Sequence, residues 1–245
     1  KIDTDDYKEV SIQNKFTGQK QIQFTSMLSE LVEMPKRNLL ILELIKDIIK
    51  TDSNRKILVL SDRRNHLLTI KELLDNDLDV TFTYGLFLGN MKQAALTVSR
   101  ASKVILATFA AFGEGVSEYA LDTLILTTPK KYVGHLEHKM VKNESGKLNQ
   151  IIGRVFRKDH IERNPIIIDL FDQFSVYKTQ GKSRIIFYKD HFKNAIFQDE
   201  SINLDSHENV SVTFIKTKKR TQQIDKKIEE LENNILNKCC IIEED

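Results

Sequence analysis

Cysteine is almost missing from this sequence of 245 residues: there are two, and they are neighbours, Cys239 and Cys240. Adjacent cysteines cannot build a disulfide framework, which excludes the stapled secreted class and suits a reducing compartment, the cytosol or nucleus. No apolar run approaches the roughly 20 residues that span a bilayer, so no membrane segment is expected. A charge excess is missing too. Lys and Arg total 37 against 35 Asp and Glu, a net +2, so any nucleic-acid surface must come from local placement rather than global charge. His135 and His138 lie three apart, but no Cys or carboxylate stands in ligand spacing beside them, and no metal site is expected. The first ten residues, "KIDTDDYKEV", have neither the apolar core of a signal peptide nor an arginine-rich transit pattern. The chain starts at Lys1 rather than Met and reads as a piece of a longer polypeptide.

What is present is a repeated alternation. Between residues 37 and 190, short β-branched runs follow amphipathic stretches. The runs are "KILVLS" (56–61), "DVTFTY" (79–84), "KVILAT" (103–108), "DTLILTT" (122–128), "PIIIDLF" (165–171) and "RIIFYK" (184–189). Nearly continuous apolar strands of this kind belong to parallel sheets covered on both faces. Helices are expected over 37–50, 64–76, 90–101 and 146–158; in the second, Leu67, Leu68, Ile70, Leu73 and Leu74 gather on one side. The implied fold is a doubly wound, right-handed α/β layer. Residues 1–36 read as a linker with a docking helix at "SMLSELVEM", 37–198 as the main domain, and 199–245 as an extension. In that extension Ile224, Ile228, Leu231 and Ile235 give an amphipathic helix that packs back or pairs with a helix partner over 221–238.

The glycines fall beside strand ends: Gly85 after "TFTY", Gly113 and Gly115 after "KVILAT", Gly134 after "LILTTP". Ligands of open parallel sheets bind beyond the carboxyl ends of the strands, so the loops from Ser61, Gly85, Thr108 and Thr128 are where chemistry is expected. One helix carries "QIIGRVFRK" (150–158), with Arg154 and Arg157 three apart and hence on one face. Two guanidinium groups at that spacing suit the oxygens of a triphosphate and the charge that develops as its end group leaves. Gly153 just before them leaves room for close approach. On spacing alone, a solvated basic face is the commoner reading.

These segments resemble a known family. "QIIGRVFR" is similar to the Q-x-x-G-R-x-x-R signature, motif VI, of superfamily 2 helicases and translocases, with Gln150, Gly153, Arg154 and Arg157 in place. "VILATFAAFGEGVSEYALDTLILTTP" (104–129) resembles the motif V region, through Thr108, Gly113, Glu114, Gly115 and Ser117; "KILVLSDRRNHLLTIKELL" (56–74) resembles the motif IV strand and helix. Ser117 stands where many members have Asp, which resembles the phage and large-DNA-virus branch. The likeness covers about residues 37–190, in the family's order. It implies a RecA-like second lobe, the C-terminal one of the motor, that uses ATP and Mg2+ and binds DNA or RNA without regard to sequence.

By the same resemblance, Arg157 is the arginine finger, Arg154 a second phosphate contact, and Gln150 a relay of nucleotide state. Gly153, Glu114 and Gly115 lie on the nucleotide side. Ser61, Arg63, Gly85, Thr108 and Gly113 lie on the nucleic-acid side, where hydroxyls and exposed N–H groups hold phosphates and leave bases unread. The sequence has no G-x-x-x-x-G-K-S/T phosphate loop and no D-E-x-D/H pair. The resemblance therefore implies a first lobe in cis that holds the metal, and a chain inactive in ATP hydrolysis without it. A viral factory or virion joins the cytoplasm and nucleus as an implied location. Two rivals stay open: a non-enzymatic nucleic-acid-binding or scaffolding module of the same shape, and an α/β transferase of the nucleotide-sugar type.

Overall fold

The computed structural model of the chain describes residues 1–113, 121–131, 144–155, 164–192 and 195–206, all within one compact unit, Lys1–Val212. Four of the apolar runs become strands of the main sheet: β4 (Ile57–Ser61), β6 (Val104–Thr108), β7 (Thr123–Leu126) and β8 (Ile166–Asp169). Before them the chain forms β1 (Ile2–Asp3), β2 (Ser11–Gln13), β3 (Lys20–Ile22), α1 (Phe24–Glu33) and α2 (Pro35–Thr51). Between and after them lie α3 (Arg64–Asn76), β5 (Tyr84–Phe87), α4 (Gln93–Ala101), α5 (Phe109–Gly113), α6 (Glu144–Val155), α7 (Ser175–His191) and β9 (Ile202–Asn203).

Five strands make one parallel sheet in the order β5-β6-β4-β7-β8. The chain leaves central β4 toward one edge, then crosses it between β6 and β7. By the general rule for open parallel sheets, that reversal makes the carboxyl ends of β4, β6 and β7 the place to look for a ligand. Helices cover the sheet, and β4 and β7 are buried at every position, which is why their sequences run apolar without alternating. The architecture is the RecA-like α/β layer that the sequence led us to expect.

Three expectations need correcting. The strand placed at 79–84 lies at 84–87, because a turn held by Asp77 occupies its start: the Asp79 amide donates to Asp77 Oδ1 at 2.8 Å, and Lys46 pairs with the same carboxylate at 2.7 Å. Gly85 therefore lies inside a strand rather than after one. A Cβ there would meet the Ser99 Cα at 2.8 Å, so this glycine lets α4 pack directly on β5. The third correction is "RIIFYK", which is no strand but part of α7. Tyr177, Gly181, Arg184, Phe187 and Tyr188 are buried while Ile186 is exposed, which is helical spacing.

Residues 1–36 belong to the same compact unit as the sheet, and Met27, Leu28, Leu31 and Val32 of α1 form a cluster with Tyr177 of α7. Ahead of α1, β1 pairs in parallel with β9, Ile2 opposite Ile202. The expected helix at 221–238 and the histidines at 135 and 138 lie outside the described residues.

Candidate functional site at the carboxyl edge of the sheet

The register aligns Ser61 at the end of β4 with Thr108 at the end of β6, and Leu60 with Leu126 of β7. Three loops therefore start side by side. Thr127 donates its hydroxyl to Leu60 O at 2.6 Å, and the Asp62 amide donates to Thr128 Oγ1 at 2.9 Å, stitching the β4 and β7 loops together. Above this seam Lys130 Nζ pairs with Asp62 at 2.9 Å and lies 5.2 Å from the centre of the Phe109 ring. One half-buried cation thus spans the loops that follow β4, β6 and β7. Its backbone is fixed from behind, where Arg184 Nη1 donates to Lys130 O at 2.6 Å.

Arg184 is itself 1% exposed and grips Asp169, at the end of β8, through Nε at 2.7 Å and Nη2 at 2.8 Å. Burial alone would lower its pKa, but the Asp169 carboxylate outweighs burial, and the net shift is upward. Tyr188 donates to the same carboxylate at 2.9 Å; burial, then the charge on Asp169, raises its phenol well above the ordinary value. The edge thus rests on a bidentate clamp.

Ser61 does not offer its hydroxyl to a ligand. It is 0% exposed; its Oγ accepts from the Arg63 amide at 3.0 Å and meets His66 Nδ1 at 3.0 Å. His66 Nε2 lies 2.9 Å from Asn38 Oδ1, and Asn38 Nδ2 donates to Val32 O at 2.9 Å. An amide oxygen only accepts, so Nε2 carries the proton and Nδ1 accepts from Ser61. Burial, then the nearby Arg37 charge, pushes the His66 pKa down to about 3, keeping the ring neutral. The serine expected to touch phosphate is instead the first member of a buried relay joining β4 and α3 to α2 and the end of α1.

The other expected contacts are spread along the same edge. Thr108 is half-buried, and its Oγ1 accepts from the Ala111 amide at 3.2 Å, so it starts α5, which ends at Gly113. Arg63 is half-buried and donates from Nη2 to Thr25 O at 3.0 Å, reaching α1. Gly85 belongs to packing, as described above. On α6, Leu148, Ile151, Ile152 and Val155 face the core, while Gln150 and Gly153 are exposed. A Cβ on Gly153 would meet nothing within 4 Å. The Arg154 side chain, Arg157, Glu114, Gly115 and Ser117 lie outside the described residues. Sequence reasoning missed Lys130, Asp62's partnership with it, Arg184 and Asp169; the one signal was the paired aspartates of "IIIDLFDQF" following a β-branched run.

No protein-family model matches the chain. In sequence it is 30% identical over 184 residues to a protein of Acanthamoeba polyphaga mimivirus named a "putative ATP-dependent RNA helicase". That match takes in 75% of this chain, which spans only 30% of the relative's length. In structure it is similar to UvsW of T4, with a TM-score of 0.53 and 20% identity over 78% of this chain and 38% of that one. The resemblance to superfamily 2 helicases carried by the motifs from Ser61 to Arg157 thus has beside it a sequence likeness to part of a protein named a helicase and a RecA-like fold shared with UvsW.

Proposed function

We propose that this chain is the second lobe of an ATP-dependent helicase or translocase. It brings Gln150, Gly153, Arg154 and Arg157 to a nucleotide cradled by another lobe, and holds a nucleic-acid backbone along the carboxyl edge of its sheet. The observation that carries the reading is the outer face of α6. Gly153 sits within a helix, where glycine costs about 1 kcal/mol relative to alanine, yet the space around it is open. Nothing in the packing of the described residues calls for it. A second surface arriving against Gln150 and Gly153 would.

In that arrangement the Arg154 and Arg157 guanidinium groups neutralise charge on the terminal phosphate as it departs, and Gln150 links the nucleotide's presence to the lobe's position. The phosphate loop and acidic pair that this sequence lacks are the groups that hold Mg2+, and the proposal assigns the ion mainly to the other lobe. Phosphates of the strand would meet Thr108, the Gly113 backbone, Arg63 and Lys130. Such contacts leave the bases unread, and binding would fall steeply with salt. The mimiviral relative is named an RNA helicase, which makes RNA the strand to try first, with DNA beside it.

The test is Arg157→Ala in the polypeptide that contains both lobes. Loss of strand-stimulated ATP hydrolysis by about 10³–10⁵-fold is expected, with strand binding retained. Turnover equal to that of the parent protein would overturn the assignment.

A further inference from the structure

At the tip of the hairpin formed by β2 and β3, Phe16 is 99% exposed. The tip is ordered by its own bonds. Asn14 Oδ1 accepts from the Phe16 amide at 2.9 Å and the Thr17 amide at 3.2 Å, the Gly18 amide donates to Asn14 O at 2.8 Å, and Gly18 adopts φ 67°. The ring is thus held outward by a built turn, not left over from a disordered strand.

The chemistry around it is one-sided. From Val10 to Ser29 there is no Asp or Glu, in a chain that carries 35 of them in 245 residues. The same stretch has Lys15, Lys20 and the amides Gln13, Asn14, Gln19, Gln21 and Gln23. Lys20 is paired with Glu9 at 3.2 Å, and Glu9 also accepts from Ser175 Oγ at 2.7 Å, which fastens the hairpin to the start of α7. Lys15 stands exposed beside Phe16. An aromatic ring, a lysine and hydrogen-bonding amides without carboxylates complement a polyanion with flat, stackable faces. Ile12 and Ile22 of the same hairpin are also exposed, at 47% and 37%, but they lie away from the tip, where the charge is of one sign.

The hairpin also springs from the right place. The Gln23 amide closes its base on Val10 O at 2.8 Å, and α1 follows at once. There Thr25 O accepts from Arg63 at 3.0 Å, and Arg63 stands two residues past the end of β4. The base of the hairpin is therefore joined to the carboxyl edge of the sheet, continuous with the proposed phosphate contacts.

We infer that this hairpin is a second nucleic-acid element, on which Phe16 stacks against an unpaired base while Lys15 reaches an adjoining phosphate. The inference rests on the nucleic-acid reading above and adds to it a preference for single strands. The chain contains no tryptophan, so Phe16→Trp installs a lone indole at the tip. The 245-residue chain is titrated with labelled oligo(U) and oligo(dT), reading strand anisotropy and indole emission together. Expected is quenching of the indole that saturates with the anisotropy, a loss of roughly 5- to 150-fold in affinity for Phe16→Ala, and a salt slope shallower by about 1 for Lys15→Ala. Binding seen by anisotropy with unquenched indole and an unaffected Phe16→Ala variant would overturn the inference alone and leave the tip to a protein partner. A parent chain that binds neither oligonucleotide at low salt would overturn the nucleic-acid reading, and this inference with it.

Discussion

Arg37 of α2 and Asp172, three residues past β8, form a two-pronged ion pair at 2.9 and 3.0 Å, and both side chains are 0% exposed. Arg37 Nη2 also donates to Thr127 O at 2.7 Å, and the Tyr7 hydroxyl donates to Asp172 Oδ1 at 2.8 Å. Burial, then the Asp172 charge, raises the Tyr7 phenol far above its ordinary value. The pair ties the amino-terminal segment, α2 and the loop after β7 to one carboxylate. Removing one partner strands the other charge in the interior. Asp172→Asn is expected to cost about 3–5 kcal/mol, and Tyr7→Phe about 1.5–3 kcal/mol, both read from urea denaturation midpoints at constant slope.

His66 gives the fold a pH dependence of known sign. Its pKa in the folded chain is pushed from 6.5 down to about 3, so the unfolded chain binds the proton more readily. Stability contributed by this group is complete above pH 6.5 and is lost as the pH falls toward about 3. Between pH 6.5 and 5 the loss is at most about 2 kcal/mol. His66→Gln should be less stable at pH 7 yet lose less than the parent on acidification. Parallel denaturation curves at pH 7 and pH 5 check this; equal losses in the two proteins would refute it.

Gly153 and Gly181 should respond oppositely to alanine. A Cβ on Gly181 would lie 2.3 Å from two ring carbons of Phe171, so Gly181→Ala is expected to cost about 1–3 kcal/mol by overpacking. Gly153→Ala meets open space and should stabilise the isolated chain by up to about 1 kcal/mol. On the proposed function, the same substitution should lower ATP turnover in a polypeptide that also carries a nucleotide-cradling lobe. Thermal melts of the chain and an ATPase assay of the longer protein separate the two effects.

The Asp62 and Lys130 pair is half-buried and is expected to matter more for strand binding than for stability. Lys130→Ala should flatten the salt dependence of binding by about one unit of slope, and Asp62→Asn should strengthen binding by removing a carboxylate from the edge. Both should change stability by under about 1 kcal/mol. Anisotropy titrations at three salt concentrations give the slopes.

Most of the sheet was readable because buried parallel strands admit little but β-branched and leucine residues; β4, β6, β7 and β8 each answer to such a run. Helix α3 runs from 64 to 76, as its leucine spacing had indicated. "RIIFYK" defeated the same logic. Its two isoleucines look like a strand, but Arg184 is drawn inward by Asp169, and a buried ion pair leaves no trace in an apolar pattern. The true β5, "YGLF", is too short to announce itself beside "TFTY". At the site, Ser61 was found as a strand end but its hydroxyl turns inward, because its partner His66 is defined only by tertiary packing. Lys130 had no local signal at all, since its meaning comes from loops 68 and 21 residues upstream, at Asp62 and Phe109.

The short parallel pairing of Ile2 with Ile202 and Asp3 with Asn203 has a mechanical consequence. Traction applied backward through Lys1 and forward through Asp205 would load those bonds in shear, sharing the force among them rather than peeling them one by one. Lys1 and Asp205 are also brought to a common anchorage, so any torque delivered there turns the sheet and its helices about a single mooring.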